Sequence, residues 1–386
     1  MKIQSFGLNG SSELDRAIKE LAAQEGGCSF LAVHHREGCL DPTALSDVAG
    51  AVHCATSCGG IMMQQGVSDI GLFAISDPDG DYGTACVQIS DDTYAAARAA
   101  TQKAISRADR EGEAPDLIWI SITPGNEEDA LKGIEDVVGS DVPIIGGSAA
   151  DDTVSGRWSV SDTQDTHNAG IVVSALFCST PLHIAYQSGY EPTPHTGVAT
   201  KTHGRTLLEI DGKPAAQVYT SWNQGTVPTA KLGEPVNILS QATLWPVGRQ
   251  TSSLCDVPYF LLAHPCASNP DGSIELFAEI NEGERLTQMT GNKDVLAARG
   301  GRVAEFALKS GNVPNHQVEG ALVVYCGGCM LAVQDQLEDV YSGVNKALDD
   351  KPFLGVFTFG EQGRVHGVGN RHGNLMISCV AFSKSE

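Results

Sequence analysis

A chain of 386 residues has room for two domains, or for one large domain built from repeated units. Its formal net charge of −22 argues against nucleic acid and anionic membrane surfaces as partners, because both would repel it. No apolar stretch approaches the ~20 residues that cross a bilayer, and residues 1–7 lack the apolar core of a secretory signal. We therefore expect a cytoplasmic protein whose eleven cysteines are reduced thiols.

In chain order, the first recognisable unit begins with an apolar strand at residues 30–33. Apolar residues then recur on one face of a helix through residues 44–52, and a turn at 56–60 contains two adjacent glycines. Another apolar strand follows at 70–75. This order of strand, helix, glycine turn and strand is typical of a sheet covered by a helix.

A second unit repeats the pattern further along the chain. Its strand lies at 117–120, its helix at 131–138 and its glycine turn at 143–147, and an apolar strand follows at 170–177. The spacing from the start of the strand to the first glycine is the same in both units. Matching spacing of this length favours an internal repeat over a coincidence of motifs.

A looser third copy occupies the C-terminal part of the chain. It has strands at 322–325, 353–360 and 375–382, with a helix at 337–348. The predicted fold is therefore α+β, with repeated strand–helix–strand units forming helix-faced sheets. The pattern leaves open whether those sheets are parallel or mixed.

The segment Glu191-Pro192-Thr193-Pro194-His195 breaks the periodicity, because proline interrupts regular hydrogen bonding. It predicts a boundary between two domains, 1–190 and 191–386.

Several segments together resemble the FIST family. Residues 146–152 resemble the signature of the FIST N-terminal domain, and 58–60 resemble its earlier glycine turn. Residues 197–219 look like the entry to the FIST C-terminal domain, and the match continues through 352–361 and 372–376. The resemblance covers nearly the whole chain and implies two FIST domains with the boundaries given above.

The resemblance implies a stand-alone bacterial sensory protein that binds a small ligand, an amino acid or another small anion. The chain contains no recognisable kinase, cyclase or DNA-binding segment. It would therefore signal through a separate protein, such as a histidine kinase or a cyclic-dinucleotide enzyme. One alternative is a haem-based nitric-oxide sensor of the NosP type that partners a histidine kinase. A second alternative is a thiol-dependent enzyme.

Two glycine-containing turns are candidate ligand sites, because their backbone N–H groups can hold a carboxylate or phosphate. The competing interpretation of each glycine is a tight turn that needs a positive φ. Asp151 or Asp152 could hold an amine, although capping a helix is the ordinary use of an aspartate there. The candidate ligand-binding residues in these turns are Gly59, Gly60, Gly146, Gly147, Ser148 and Asp151.

The C-terminal candidates are Phe359, Gly360, Glu361, His372 and Asn374. His372 and Asn374 lie one alternation apart before the last strand, so they face the same side. The competing interpretation is a satisfied hydrogen-bond cluster that fixes the final turn. We predict that these residues and the Gly146 segment border one ligand site, because α/β sheets bind ligands at strand ends.

Cys326 and Cys329 have the spacing of a redox pair or of half a zinc site, and both are candidate ligand contacts. Structural cysteines are the favoured interpretation, because no second pair with this spacing exists. Many FIST relatives carry an arginine where this chain has Cys329, so a cationic contact of the family is in doubt here.

A haem cofactor would need an axial ligand, and His34, His35, His366 and His372 are the candidate histidines. No Cys-x-x-Cys-His sequence is present, which excludes covalently attached haem. The sequence leaves any metal ligand unknown.

Overall fold

The computed structural model describes residues 1–24, 26–230, 233–254 and 257–384, which form four β-sheets with helices packed against them. No helix in these segments combines the length and the apolar character that a membrane crossing needs. Short 3₁₀ helices lie at Pro42–Leu45, Asn315–Gln317 and Gln334–Gln336. The α-helices are α1 (Ser11–Ala22), α2 (Thr93–Arg107), α3 (Glu127–Val138), α4 (Ala215–Trp222), α5 (Leu239–Ala242), α6 (Lys293–Ser310), α7 (Gly327–Ala332) and α8 (Leu337–Ala347).

The strands are short and numerous. In chain order they are β1 (Lys2–Leu8), β2 (Phe30–His35), β3 (Ala51–Thr56), β4 (Ile61–Met63), β5 (Gly66–Ser68), β6 (Ile70–Ser76), β7 (Asp81–Gln88), β8 (Leu117–Ile122), β9 (Ile144–Ser148), β10 (Val160–Ser161), β11 (Thr166–His167), β12 (Gly170–Phe177), β13 (Leu182–Ser188), β14 (Glu191–His203), β15 (Thr206–Ile210), β16 (Lys213–Pro214), β17 (Val236–Asn237), β18 (Val247–Leu254), β19 (Val257–Ala263), β20 (Pro265–Ser268), β21 (Ile274–Leu276), β22 (Arg285–Thr290), β23 (Val318–Cys326), β24 (Phe353–Thr358), β25 (Glu361–Val365), β26 (Gly369–Gly373) and β27 (Met376–Ser383).

Three of the sheets have six strands each. Their orders are β1-β6-β2-β3-β10-β11, β7-β12-β8-β9-β25-β26 and β13-β27-β23-β24-β4-β5. One parallel pair lies in the middle of each sheet: β2 with β3, β8 with β9, and β23 with β24. The hairpin at the outer edge of each sheet is formed by chain that has just left another sheet. The hairpin β4-β5 follows β3, β10-β11 follows β9, and β25-β26 follows β24. The three sheets therefore exchange hairpins in a ring, which ties them into one body.

This three-sheet body encloses a common apolar core. Phe30 of the first sheet, Trp119 of the second and Leu354 of the third all lie in it and are 0% exposed. Helices cover the outer faces of the sheets. In α3, for example, Ala130, Leu131 and Ile134 recur at helical spacing, so one face of the helix is buried.

The fourth sheet contains the nine strands β14 to β22, which the chain forms between β13 and α6. It has its own core, which includes Tyr219, Trp222 and Leu286. It contacts the three-sheet body at the start of α3, where the N–H of Glu279 donates to Glu128 at 2.9 Å.

The mixed α/β architecture with helix-faced sheets agrees with the sequence prediction, but the strand–helix–strand repeat is not confirmed in detail. The predicted helix at 44–52 is a single 3₁₀ turn that begins at Pro42, and Val52 already belongs to β3. Gly59 lies in the turn after β3, whereas Gly146 lies inside β9, so these two glycines are not equivalent. The domain boundary at residue 190 stays a prediction; β13 before it pairs with β27 near the C-terminus.

Candidate functional site

A cavity of about 280 Å³ lies between the nine-stranded sheet and the three-sheet body. Both parts line it, so its shape depends on how they pack. Its apolar wall residues are Pro124, Val154, Trp158, Leu239, Phe277, Leu331, Ala332 and Phe359. The other wall residues are Glu127, Arg205, Ser240, Thr243, His264, Cys326, Gly328 and Asn374.

A buried group of charged side chains borders this cavity. Nη2 of Arg205 lies 2.5 Å from Oε2 of Glu127 and 2.5 Å from Oε2 of Glu128. Burial alone would raise the pKa of Glu127, but His372 and Arg205 outweigh burial and hold this pKa at about 2. The same influences lower the pKa of Glu128, and the two carboxylates raise the pKa of Arg205 despite its burial. All three of these groups are therefore charged at neutral pH.

Glu127 is held in place by the strand ends around it. It is the first residue of α3, and its Oε1 accepts a hydrogen bond from Oγ of Ser148 at 2.7 Å. The backbone N–H of Gly125 donates to its Oε2 at 3.2 Å. A Cβ on Gly360 would lie 2.5 Å from the His372 ring and 3.1 Å from Ser148 Oγ, so only glycine leaves this arrangement undisturbed.

Glu127, Glu128 and His372 bring possible metal-ligand atoms within 4.8 Å of one another. A metal ion would have to displace Arg205, which already bonds both carboxylates. The geometry therefore fits an ion-pair cluster better than a metal centre.

Asn374 and His264 connect the two parts of the chain beside the cavity. Oδ1 of Asn374 accepts the backbone N–H of His264 at 3.1 Å, and its Nδ2 donates to the carbonyl of Phe277 at 3.4 Å. Burial lowers the pKa of His264 to about 4, so this ring is neutral at pH 7. Its Nε2 lies 3.0 Å from the carbonyl oxygen of Leu239, to which it donates. This side of the wall is consequently polar but uncharged.

A second hollow of about 200 Å³ adjoins the cavity and shares three wall residues with it. There, Asp152 accepts the backbone N–H of Gly59 at 2.7 Å and a hydrogen bond from Nε of Arg36 at 3.0 Å. The backbone N–H of Gly59, a predicted donor to an anionic ligand, therefore donates to a carboxylate of the chain itself.

The remaining glycine candidates are explained by close backbone packing. Gly146 and Gly147 lie inside β9, where they pair with β25. A Cβ would lie 1.9 Å from the Ile120 carbonyl oxygen at Gly146, and 2.4 Å from a Thr358 methyl group at Gly147. Gly60 has a φ of 111°, a conformation that glycine adopts far more readily than other residues.

Asp151 organises a loop at the mouth of the cavity; it neither caps a helix nor points a free carboxylate at a ligand. It accepts the backbone N–H groups of Thr153 at 3.0 Å, Ser155 at 3.0 Å and Arg157 at 2.7 Å. The loop holds Val154, 48% exposed, at a φ of 54°, which is strained for a β-branched residue.

Glu361 and His372 fit the competing interpretation of a hydrogen-bond cluster. Glu361 accepts from Oγ1 of Thr358 and from the N–H of Met376, both at 2.9 Å, and burial raises its pKa well above the usual value. His372 Nε2 lies 3.1 Å from the Phe277 carbonyl oxygen, and its Nδ1 lies 3.1 Å from the Gln362 amide. Strand pairing places Glu361 opposite Gly147 of β9, and His372 lies one strand further out, opposite Gln362.

Three of the sequence-predicted residues line the cavity: Cys326, Phe359 and Asn374. Gly59 and Asp151, again with Phe359, line the adjoining hollow. The others lie in the packed strands and turns that surround these spaces.

Of the two cysteine candidates, Cys326 lies in an environment that keeps its thiol protonated. Burial raises the pKa of Cys326 and of Cys58 well above the ordinary value. Cys329 is fully buried, and its sulfur lies 3.5 Å from the Tyr190 hydroxyl. Since the thiolate is the reactive species, this geometry does not support Cys326 as a nucleophile.

Among the cysteines that the structure describes, we expect iodoacetamide at pH 8 to label Cys39 before Cys58 and Cys326, because Cys39 is exposed while the other two are buried with raised pKa values. Peptide mass mapping after timed quenching measures the order. Labelling under denaturing conditions is the control for intrinsic reactivity. Early modification of Cys326 in the folded protein would contradict this assignment and revive a thiol-dependent role.

The histidine candidates do not fit a haem in the cavity. His34 and His35 are buried in β2, and His366 lies in an exposed turn. His264 does line the cavity, but its Nε2 is bonded to Leu239. A volume of about 280 Å³ falls just below the usual range of small-molecule sites (~300–1,000 Å³), which is little room for a tetrapyrrole.

Sequence reasoning missed Glu127, Arg205, Trp158, His264 and Phe277. A partial signal existed for Glu127, since an acidic pair follows a Pro-Gly-Asn turn at a predicted helix start. Arg205 follows a glycine in a hairpin turn, and nothing local links it to an acid 78 residues earlier.

Comparison with known protein families matches two domain models to the chain. The FIST N domain model matches residues 30–213, and the FIST C domain model matches residues 215–364. Domains of this class are small-ligand sensory domains of signalling proteins. The chain belongs to the FIST family.

Individual relatives are distant. An uncharacterised protein of Methanocaldococcus jannaschii is 34% identical over 93 residues, which cover 24% of this chain and 18% of that protein. Among solved structures, cyanuric acid hydrolase from A. caulinodans aligns over 99% of both chains with 9% identity and a TM-score of 0.39. PurLQS from Thermotoga maritima aligns over 80% of this chain and 73% of that chain, with 10% identity and a TM-score of 0.24. Likenesses of this size carry no argument about fold or activity.

Proposed function

We propose that the chain is a cytoplasmic sensor that binds a small molecule in the cavity and passes the signal to a separate protein. The observation that carries this proposal is the position of the cavity. Its wall combines residues of the nine-stranded sheet, such as Arg205 and Phe277, with residues of the three-sheet body, such as Glu127 and Phe359.

A ligand that contacts both parts stabilises one relative position of them over others. The contacts that would respond are the Arg205–Glu127 pair and the hydrogen bonds of Asn374. A surface that changes with this packing could be read by a histidine kinase or a cyclic-dinucleotide enzyme. The proposed FIST domains, 1–190 and 191–386, meet where β14 begins at Glu191.

The ligand expected from the family resemblance is an amino acid or another small anion. An amino acid with an apolar side chain suits the cavity, because its side chain would pack on aromatic residues and its ammonium would face Glu127. A simple anion suits it less well, because Glu127 and Glu128 share one arginine. Haem fits the geometry poorly, and an absorption spectrum of the purified protein tests it directly.

The cavity can be tested by filling it from its exposed edge. We expect Ser240→Trp to abolish binding of any small molecule that the parent protein retains in native mass spectrometry, because Ser240 lines the cavity and is exposed. Ser221→Trp is the matched control, since it changes another exposed helix serine away from the cavity. A ligand that binds both variants as tightly as the parent would place the binding site elsewhere.

A further inference from the structure

We propose that the cavity selects small organic cations, namely amines with an apolar or aromatic body; this inference rests on the proposed ligand-binding function. Three aromatic side chains stand in the wall: Trp158, Phe277 and Phe359. The face of an aromatic ring carries negative charge density and attracts ammonium groups, most strongly where water is excluded. The wall therefore suits an apolar ligand body and favours a positive charge beside it.

The charged groups at the cavity leave a surplus of negative charge. Glu127 and Glu128 both bond the single guanidinium group of Arg205. One carboxylate charge is therefore not balanced by arginine. An anionic ligand group at this end would be repelled, whereas an ammonium group would complete the pairing.

The adjoining hollow has the same imbalance. Asp151 and Asp152 line it together with one cation, Arg36, which also pairs with Asp69 at 3.1 Å. Counted with Arg205, Arg36 and His372 as the basic side chains, these two groups still hold more carboxylates, namely those of Glu127, Glu128, Asp151 and Asp152. The net charge of −22 acts in the same direction at long range. A cation approaching the cavity is attracted by this field, and an anion is not.

The wall also offers hydrogen-bond acceptors to an ammonium group. A carboxylate oxygen has two acceptor positions, and Oε1 of Glu127 accepts one bond from Ser148. Oδ1 of Asn374 accepts one bond from the His264 N–H and has a second position. The side-chain N–H groups of Arg205, His264 and Asn374 already donate to partners within the chain, whereas these acceptor positions are available to a ligand donor.

Three probes of nearly the same shape test the proposal: 2-phenylethylamine, 2-phenylethanol and 3-phenylpropionate. Titration calorimetry on the whole chain at low ionic strength measures each affinity. We expect the amine to bind about tenfold more tightly than the alcohol, and the carboxylate to bind most weakly. Added salt should weaken the amine more than the alcohol.

Glu128→Gln removes the surplus carboxylate and leaves the Arg205–Glu127 pair in place. Its expected effect is a roughly tenfold loss of amine affinity with roughly unchanged affinity for the alcohol. Asp136→Asn is the control for charge alone, because Asp136 is an exposed carboxylate paired with Arg98 at 2.8 Å. This control should change amine affinity by no more than about twofold.

Tighter binding of 3-phenylpropionate than of the amine would overturn the cation assignment. If Ser240→Trp then blocks binding of 3-phenylpropionate, the cavity is still supported as the ligand-binding site, and only the preference for cations is contradicted. Failure of the amine to bind at any concentration would also overturn the assignment. Amine binding that survives Ser240→Trp would contradict the cavity, and with it the proposed function.

Discussion

Replacing Arg205 with methionine should lower the free energy of unfolding by about 3 kcal/mol at pH 7, the low end of what breaking a buried ion pair costs. Glu127 is 2% exposed, and the substitution leaves its charge without a cation at 2.5 Å. Methionine retains much of the aliphatic bulk, so the main loss is electrostatic. Urea unfolding with a constant dependence on denaturant measures the change.

The pH dependence separates this electrostatic effect from lost packing. In the parent, the pKa of Glu127 is lowered from 4.5 to about 2. The ionised Glu127 therefore contributes fully to stability at a pH above its pKa in the unfolded state. This contribution is lost as the pH falls through its pKa in the folded state. Without Arg205, burial shifts this pKa upward, so the folded variant takes up a proton first. The stability difference between parent and variant should shrink as the pH falls from 7 towards 4.

Arg98→Met is the matched control, because it breaks an exposed Arg98–Asp136 pair with a 2.8 Å contact. We expect it to cost less than about 1 kcal/mol, since water already solvates both groups. Adding Glu127→Gln to Arg205→Met should recover part of the loss. Equal effects of the two arginine substitutions would show that the buried pair contributes no more than a surface pair.

The apolar strands could be predicted because their residues are buried on both faces. The predicted strands at 30–33, 117–120 and 322–325 fall within β2, β8 and β23, which are central in their sheets. The helix at 44–52 failed for a local reason. Pro42 and the Asp41 cap begin only one 3₁₀ turn, and the apolar residue Val52 belongs to the next strand.

The candidate site was predictable only in part, because it depends on long-range pairing. The sequence placed residues 146–151 and 359–374 near strand ends, and β25 does pair with β9. That pairing joins a hairpin to a sheet formed by an earlier part of the chain, which no local periodicity encodes. The contact of Arg205 with Glu127 depends in addition on how the nine-stranded sheet packs.

Asp152 illustrates a further limit. A glycine turn that exposes N–H groups predicts an anion site equally well whether the anion is a ligand or a side chain. Here the acceptor for Gly59 is a carboxylate 93 residues away. The Gly59 N–H does donate to an anionic oxygen, but only the structure identifies that oxygen as belonging to Asp152.

Gly146→Ala should destabilise the protein by about 3 kcal/mol or more, as overpacking against an immobile neighbour does. The added Cβ would lie 1.9 Å from the carbonyl oxygen of Ile120. That oxygen belongs to β8, which runs parallel to β9 with Ile120 opposite Gly146. Separating β8 from β9 to make room would disturb the strand pairing that also positions Ser148. Because Ser148 donates a hydrogen bond to Glu127, the carboxylate of Glu127 would shift as well. We therefore expect lower stability together with weaker ligand binding.

Gly343→Ala provides the matched control, because the same chemical change there meets ordinary contacts. Gly343 lies inside α8, and a Cβ added to it would lie 3.7 Å from the backbone of Gly301 in α6. Alanine stabilises a helix interior relative to glycine by roughly 0.5–1 kcal/mol, so this variant should unfold at an equal or higher urea concentration. If Gly146→Ala fails to accumulate as soluble protein while Gly343→Ala does, the expectation is met. Equal unfolding midpoints for the two variants would mean that β8 and β9 can separate at little cost, which would contradict the close packing on which the position of Glu127 depends.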